Sequence, residues 1–234
     1  MMDIDSKNGR ECFQCPRRRD IDDTPGGCES VDEIRGLSGP IFGKEGFFYL
    51  IENVCIFTHC AAAIGGGYDY NTSEGTDCGT IIIEGGVLNL IGGYECPGIG
   101  SGAYASCDGI IIRGGIIKNS KGGSNAAGIG AGYHGECGDI LISGGRIGGE
   151  IDNNYYNGAQ GNKNGAGIGC GAAGTCGNIT IGPDITFLVA AKGENAQNHI
   201  GLVDSGSCGT VTVAPELVDS GESGLVRTIQ PATP

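Results

Sequence analysis

One cysteine pattern constrains this chain more than anything else in it. Cys78, Cys107, Cys137, Cys176 and Cys208 are separated by 29, 30, 39 and 32 residues. Each stands just ahead of a short apolar strand: IIIEGG from Ile81, IIIRGG from Ile110, ILISGG from Ile140, ITIGPD from Ile179 and VTVAPE from Val211. Eight residues before the last four cysteines comes an isoleucine followed by glycine, at Ile99, Ile129, Ile168 and Ile200. An earlier copy, Ile64, precedes Cys78 by fourteen residues. Self-similarity at a period of about thirty residues is the mark of a solenoid, in which no unit buries its apolar face alone.

The strands alternate in period two, so Ile81 and Ile83 share a face with Ile110 and Ile112, Ile140 and Ile142, Ile179 and Ile181, Val211 and Val213. Gly-Gly pairs at 85–86, 114–115 and 144–145 permit a sharp bend after the strand. A second strand follows with Leu88, Ile117 and Ile147, and the Gly-Ile-Gly segment supplies a third wall. The predicted fold is all-β: a right-handed parallel β-helix of about five coils. A leucine-rich β/α solenoid needs a helical segment in each unit, which the glycine density between strands disfavours. The 48 glycines follow no G-X-Y period, so collagen is excluded. Tryptophan is absent, so the core must be stacked small and β-branched side chains.

Residues 1–45 do not repeat and read as an N-terminal cap; 46–218 form the β-helix, with 47–64 as a more aromatic first coil; 219–234 are a frayed tail. Two insertions interrupt the period, at 68–77 and 150–164, and insertions in solenoids form loops on one face.

The net charge is −13, with seven basic and seventeen acidic residues after position 45. An acidic surface argues against nucleic acid and anionic membranes. No apolar run is long enough for membrane insertion. The segment MMDIDSKNGRE lacks an apolar h-region, so export would need a leader not present here or another route.

The repeat I-x-I-x-G-G, A-G-I-G-x-G and C-G-[DN]-I-x-I, over residues 60–215, resembles the glycine-rich β-helix repeats of bacterial surface proteins, including carbohydrate-binding and adhesin-like members. The resemblance implies a non-catalytic extracellular or cell-surface protein acting as adhesin or glycan binder, and the apolar outer stripe and open strand edges add a self-assembling, filament-forming subunit as a further reading. Its partners would be copies of itself and polysaccharide. The cysteine density departs from that group, where the position is mostly small or polar. Polysaccharide lyases share the fold, so a lyase-like enzyme is the alternative. Glu84 and Arg113 are register neighbours, but an ion pair explains them, and no carboxylate trio or nucleophile motif emerges.

Candidate sites follow from spacing. Tyr68, Tyr104 and Tyr133 each trail a third-wall isoleucine by four or five residues and should line one corner as a glycan platform, unless they merely cover a glycine-rich turn. Tyr155 and Tyr156 form a second aromatic patch. Asp69, Asn71, Ser73, Glu74 and Asp77 gather oxygen ligands for calcium, with a solvated acidic loop as the alternative; no other cofactor is expected. The outward positions Ile82, Ile111 and Leu141 stack into an apolar assembly stripe, unless a loop or the N-terminal segment folds over it within one chain.

Among the cysteines, neighbouring rungs of the five-membered ladder fall within the Cα–Cα range of a disulfide, but in-register side chains point in parallel, which favours a stack of buried thiols. Cys170 and Cys176 are the candidate disulfide. Cys12, Cys15 and Cys28, spaced C-x2-C-x12-C, suit disulfides or a zinc whose fourth ligand would be Cys55, His59 or Cys60. Asn71 and Asn178 are glycosylation sequons, Asn71 being the more accessible.

Overall fold

The computed structural model describes residues 61–69, 74–203 and 205–215, together with the backbone of the short strands Ile4–Asp5, Arg10–Glu11, Phe47–Phe48, Val54–Phe57 and Val226–Arg227. The chain is a parallel β-solenoid of about five coils, with strands and almost no helix. Most of the expected cap, part of the first coil and most of the tail lie outside the described residues.

Each coil contributes to three parallel walls. The first wall stacks Cys78–Ile83, Ser106–Ile112, Glu136–Ile142, Ile179–Ile181 and Val211–Val213. Its register is isoleucine on isoleucine: Ile81, Ile110, Ile140 and Ile179 lead to Val211. The second wall aligns Leu88, Ile117, Ile147 and Leu188. The third wall is two residues wide and aligns Ile64, Ile99, Ile129, Ile168 and Ile200, each paired to its neighbour together with the following glycine. The three columns meet in one core in which Ile99, Ile110, Ile129, Ile140, Ile147, Ile168 and Ile179 are fully buried or nearly so. Like residues above like let β-branched side chains nest without large rings.

The narrow third wall explains the glycine content. Gly100 and Gly130 adopt φ of 136° and 131°, and a Cβ on either would lie 1.9 and 2.0 Å from the carbonyl oxygen of the next coil. The second glycine of each Gly-Gly bend, Gly86, Gly115 and Gly145, also has positive φ, as the sequence predicts.

Both insertions are antiparallel hairpins. Gly67–Asp69 pairs with Glu74–Thr76. Gly149–Ile151 pairs with Asn154–Tyr156 across Asp152 and Asn153, whose φ values of 49° and 61° are those of a type I′ turn. The second insertion is shorter than expected. Gly158–Gln160 returns to the second wall, paired with Asn119–Lys121, and Ala159 is fully buried. The sequence hides this because residues 158–160 supply only a methyl to the core. From the tail, Val226–Arg227 pairs antiparallel with Val189 and Ala190.

Candidate functional site

The candidate residues fall on three separate faces. On the outside of the first wall, Ile82, Ile111 and Leu141 are register partners, continued by Thr180 and Thr212. Phe47 pairs with Ile82 on the other side. Ile82 and Ile111 are half-buried, while Leu141 is 38% exposed. Ile111, Leu141 and Thr180 floor a shallow groove of about 360 Å³, rimmed by Thr80, Asp108, Asp139 and Asn178.

The polar rim also holds coil to coil. Asp139 Oδ1 accepts the Asn178 N–H at 2.7 Å, and Asn178 Oδ1 accepts the Thr210 N–H at 3.0 Å. The Asn178 sequon is exposed, with its side-chain oxygen engaged in this way, and Asn71 lies outside the described residues. At the far end of the strand Glu84 and Arg113 form an exposed ion pair. The next residue in that row is Ser143, not Asp139. Such a pair contributes about 0–1 kcal/mol.

Of the calcium set, Asp69 and Glu74 are register partners across the first hairpin. Asp77 accepts the Ser106 N–H at 2.7 Å through Oδ1. Asn71 and Ser73 lie outside the described residues. On the second wall, Tyr155 is 56% exposed and Tyr156 lies under Lys118 Nζ at 5.0 Å from its ring centroid. These two tyrosines occupy the second hairpin, away from the other three.

Tyr68, Tyr104 and Tyr133 do meet at one corner, between the third and first walls. Tyr68 stacks on Tyr104 with centroids 5.7 Å apart, and Tyr133 meets Tyr104 edge-on at 5.7 Å. Their roles differ from the sequence expectation. Tyr68 is only 6% exposed and packs with Cys96, Ala103 and Tyr133 in a small second core. It supports the corner and presents no ring to a ligand.

Sequence reasoning missed three members of this corner: Tyr94, Glu95 and His134. His134 stacks on Tyr104 with centroids 5.0 Å apart and planes 12° apart. Counting from the third-wall isoleucine would have found it, since Tyr104 and His134 each lie five residues after Ile99 and Ile129. The backbone places Glu95 here as well, because its carbonyl accepts the Tyr133 N–H at 3.0 Å. Glu95 is 9% exposed, and burial pushes its carboxyl above the usual range, against the opposing effects of the Tyr94 hydroxyl, His134 and Lys163. Tyr94 and Tyr104 are 47% and 41% exposed. The corner thus joins exposed aromatic rings to a sheltered carboxyl.

The cysteine ladder forms in the predicted register, with Cys78, Cys107, Cys137, Cys176 and Cys208 as partners, but only Cys107, Cys137 and Cys176 are buried, Cys78 and Cys208 at its ends being half-buried. All are free thiols, as is Cys170. Hydrogen bonds from Cys137 and Cys78 hold the Cys107 thiol well below the ordinary range, and donating those bonds pushes the two partners up. The Cys170–Cys176 disulfide expected from sequence is not formed; the two Sγ atoms are 3.0 Å apart. The tight turn between them brings the two thiols together. Cys12, Cys15 and Cys28 lie outside the described residues.

Among the described residues no helix is long and apolar enough to cross a membrane. In comparisons with known proteins, no family matches this chain, and neither a curated protein nor a solved structure is significantly similar to it.

Proposed function

We propose that the chain is a non-catalytic, extracellular β-solenoid that binds polysaccharide at the corner formed by Tyr94, Glu95, Tyr104, Tyr133 and His134, in the manner of the glycine-rich surface proteins its repeat resembles. One observation carries the reading. Tyr104 stacks on Tyr68 and His134, meets Tyr133 edge-on and lies near the Glu95 carboxyl, and the turn at Glu95, Tyr104 and His134 has φ of 60°, 53° and 52°. The same φ recurs at Asn125, Lys163 and Ala173 and belongs to the turn of every coil, so it is the gathering of stacked rings with a carboxyl that points to a role beyond turning the chain. Sugars present apolar ring faces edged with hydroxyls, which aromatic rings and a carboxyl match.

The test is a glycan array followed by calorimetry on the best oligosaccharide, with Tyr104→Gly and His134→Gly as variants. Glycine keeps the backbone in a favoured conformation, so lost affinity is assignable to the ring. Binding that falls at least tenfold in both variants supports the proposal. Absence of binding to any glycan, or binding indifferent to both changes, rejects it. New reducing or unsaturated ends would favour the lyase-like alternative.

A second reading, self-association through the first wall, rests on the apolar row of Ile82, Ile111 and Leu141. In backbone register that row continues through Phe47. Side chains so stacked on an outer face are characteristic of a contact surface.

A further inference from the structure

Five cysteines in a straight ladder cannot enclose an ion. Successive rungs of parallel strands are about 4.8 Å apart, so any three in line span about 9.6 Å. Cys170 breaks the line. It lies two residues after Ile168, where the preceding coils carry Ser101 and Ala131. From there its sulfur reaches the ladder, and the Sγ atoms of Cys170, Cys176 and Cys208 all lie within 4.8 Å of one another. The line has become a triangle.

We propose that Cys170, Cys176 and Cys208 form a binding site for a thiophilic d10 cation, zinc in the first instance. With Zn–S bonds of about 2.3 Å, the sulfurs of a tetrahedral site lie about 3.8 Å apart. The Cys170–Cys176 separation of 3.0 Å and the 4.8 Å limit of the group bracket that spacing. Small side-chain rotations close the difference. The Ser207 carbonyl oxygen, 2.9 Å from Cys170 Sγ, is placed to serve a fourth position. Cys170 and Cys176 are buried, whereas Cys208 is half-buried and gives the ion a route in. Soft thiolates select zinc, cadmium and copper(I) over calcium or magnesium. Binding is written as Zn²⁺ plus three thiols giving a tris-thiolate complex of net charge −1 and three protons released to solvent. No oxidant is needed. The site is independent of the glycan reading, being inside the solenoid and formed by other residues.

The experiment uses the full chain, reduced and kept anaerobic, titrated with Cd²⁺ and read by thiolate-to-metal charge-transfer absorbance, with Zn²⁺ as competitor. Wild type should bind one equivalent that Cys170→Ser and Cys208→Ser both lose and that Cys107→Ser keeps. Comparison between variants separates this equivalent from any bound by the N-terminal cysteines. Cys208→Ser changes a half-buried side chain, so it serves if Cys170→Ser does not fold. A cadmium-induced rise in melting temperature that disappears in Cys208→Ser is the second readout. Stoichiometry unchanged by these substitutions overturns the proposal. So does peptide mapping of native protein that finds Cys170 bridged to Cys176.

Discussion

Gly130→Ala is a one-methyl test of how the coils stack. Gly130 has φ of 131°, and the added Cβ would sit 2.0 Å from Gly169 O. Non-bonded Cβ contacts below 3.0 Å are essentially never seen, so coils must part locally by at least about 1 Å. Two buried hydrogen bonds span that gap: Ile129 N–H to Gly167 O at 2.9 Å and Ala131 N–H to Gly169 O at 2.8 Å. Losing a buried bond costs about 1–3 kcal/mol. Backbone strain at a glycine-only conformation adds about 1–3 kcal/mol. The expected loss is about 3–9 kcal/mol, against a total stability of about 5–15 kcal/mol for an ordinary domain. Gly79→Ala is the control. That residue is exposed, its φ is not positive, and its Cβ would meet only Asp108 Oδ2 at 3.9 Å. It should stay within about 0.5 kcal/mol of wild type. Urea denaturation followed by circular dichroism measures both. A Gly130→Ala protein within about 1 kcal/mol of wild type would refute the register of the third wall.

Glu95→Gln should gain on wild type as pH rises. A carboxyl whose folded pKa is raised contributes stability below its unfolded value, near 4.3, and loses it as pH climbs through the folded value. Denaturation at pH 4 and pH 7 should therefore show the gap widening in favour of glutamine; a gap that narrows contradicts a buried, reluctant carboxyl. Changing Ile82, Ile111 and Leu141 together to Thr should abolish lateral association measured by light scattering, because full burial of each side chain is worth about 1.5–3 kcal/mol. Wild-type protein that stays monomeric at high concentration would end that reading.

Much of the fold was legible because a solenoid writes its long-range contacts locally. Ile81, Ile110 and Ile140 are 29 and 30 residues apart, yet each repeats the same short motif, so matching the motifs gives the register directly. The period-two alternation likewise separates buried Ile110 from half-buried Ile111. The site was less legible because it depends on corners, whose residues are not repeated. Tyr133 and His134 are neighbours in sequence, and only the left-handed turn at His134 lays its ring on Tyr104 while Tyr133 packs inward near Cys96. Glu95 reaches the same place from the preceding corner through its carbonyl bond to Tyr133. The cysteines divide in the same way. Motif spacing alone lines up Cys176 with Cys208, but Cys170 joins them only because the chain reverses tightly between residues 170 and 176, a bend that places its sulfur across from the ladder rather than in it.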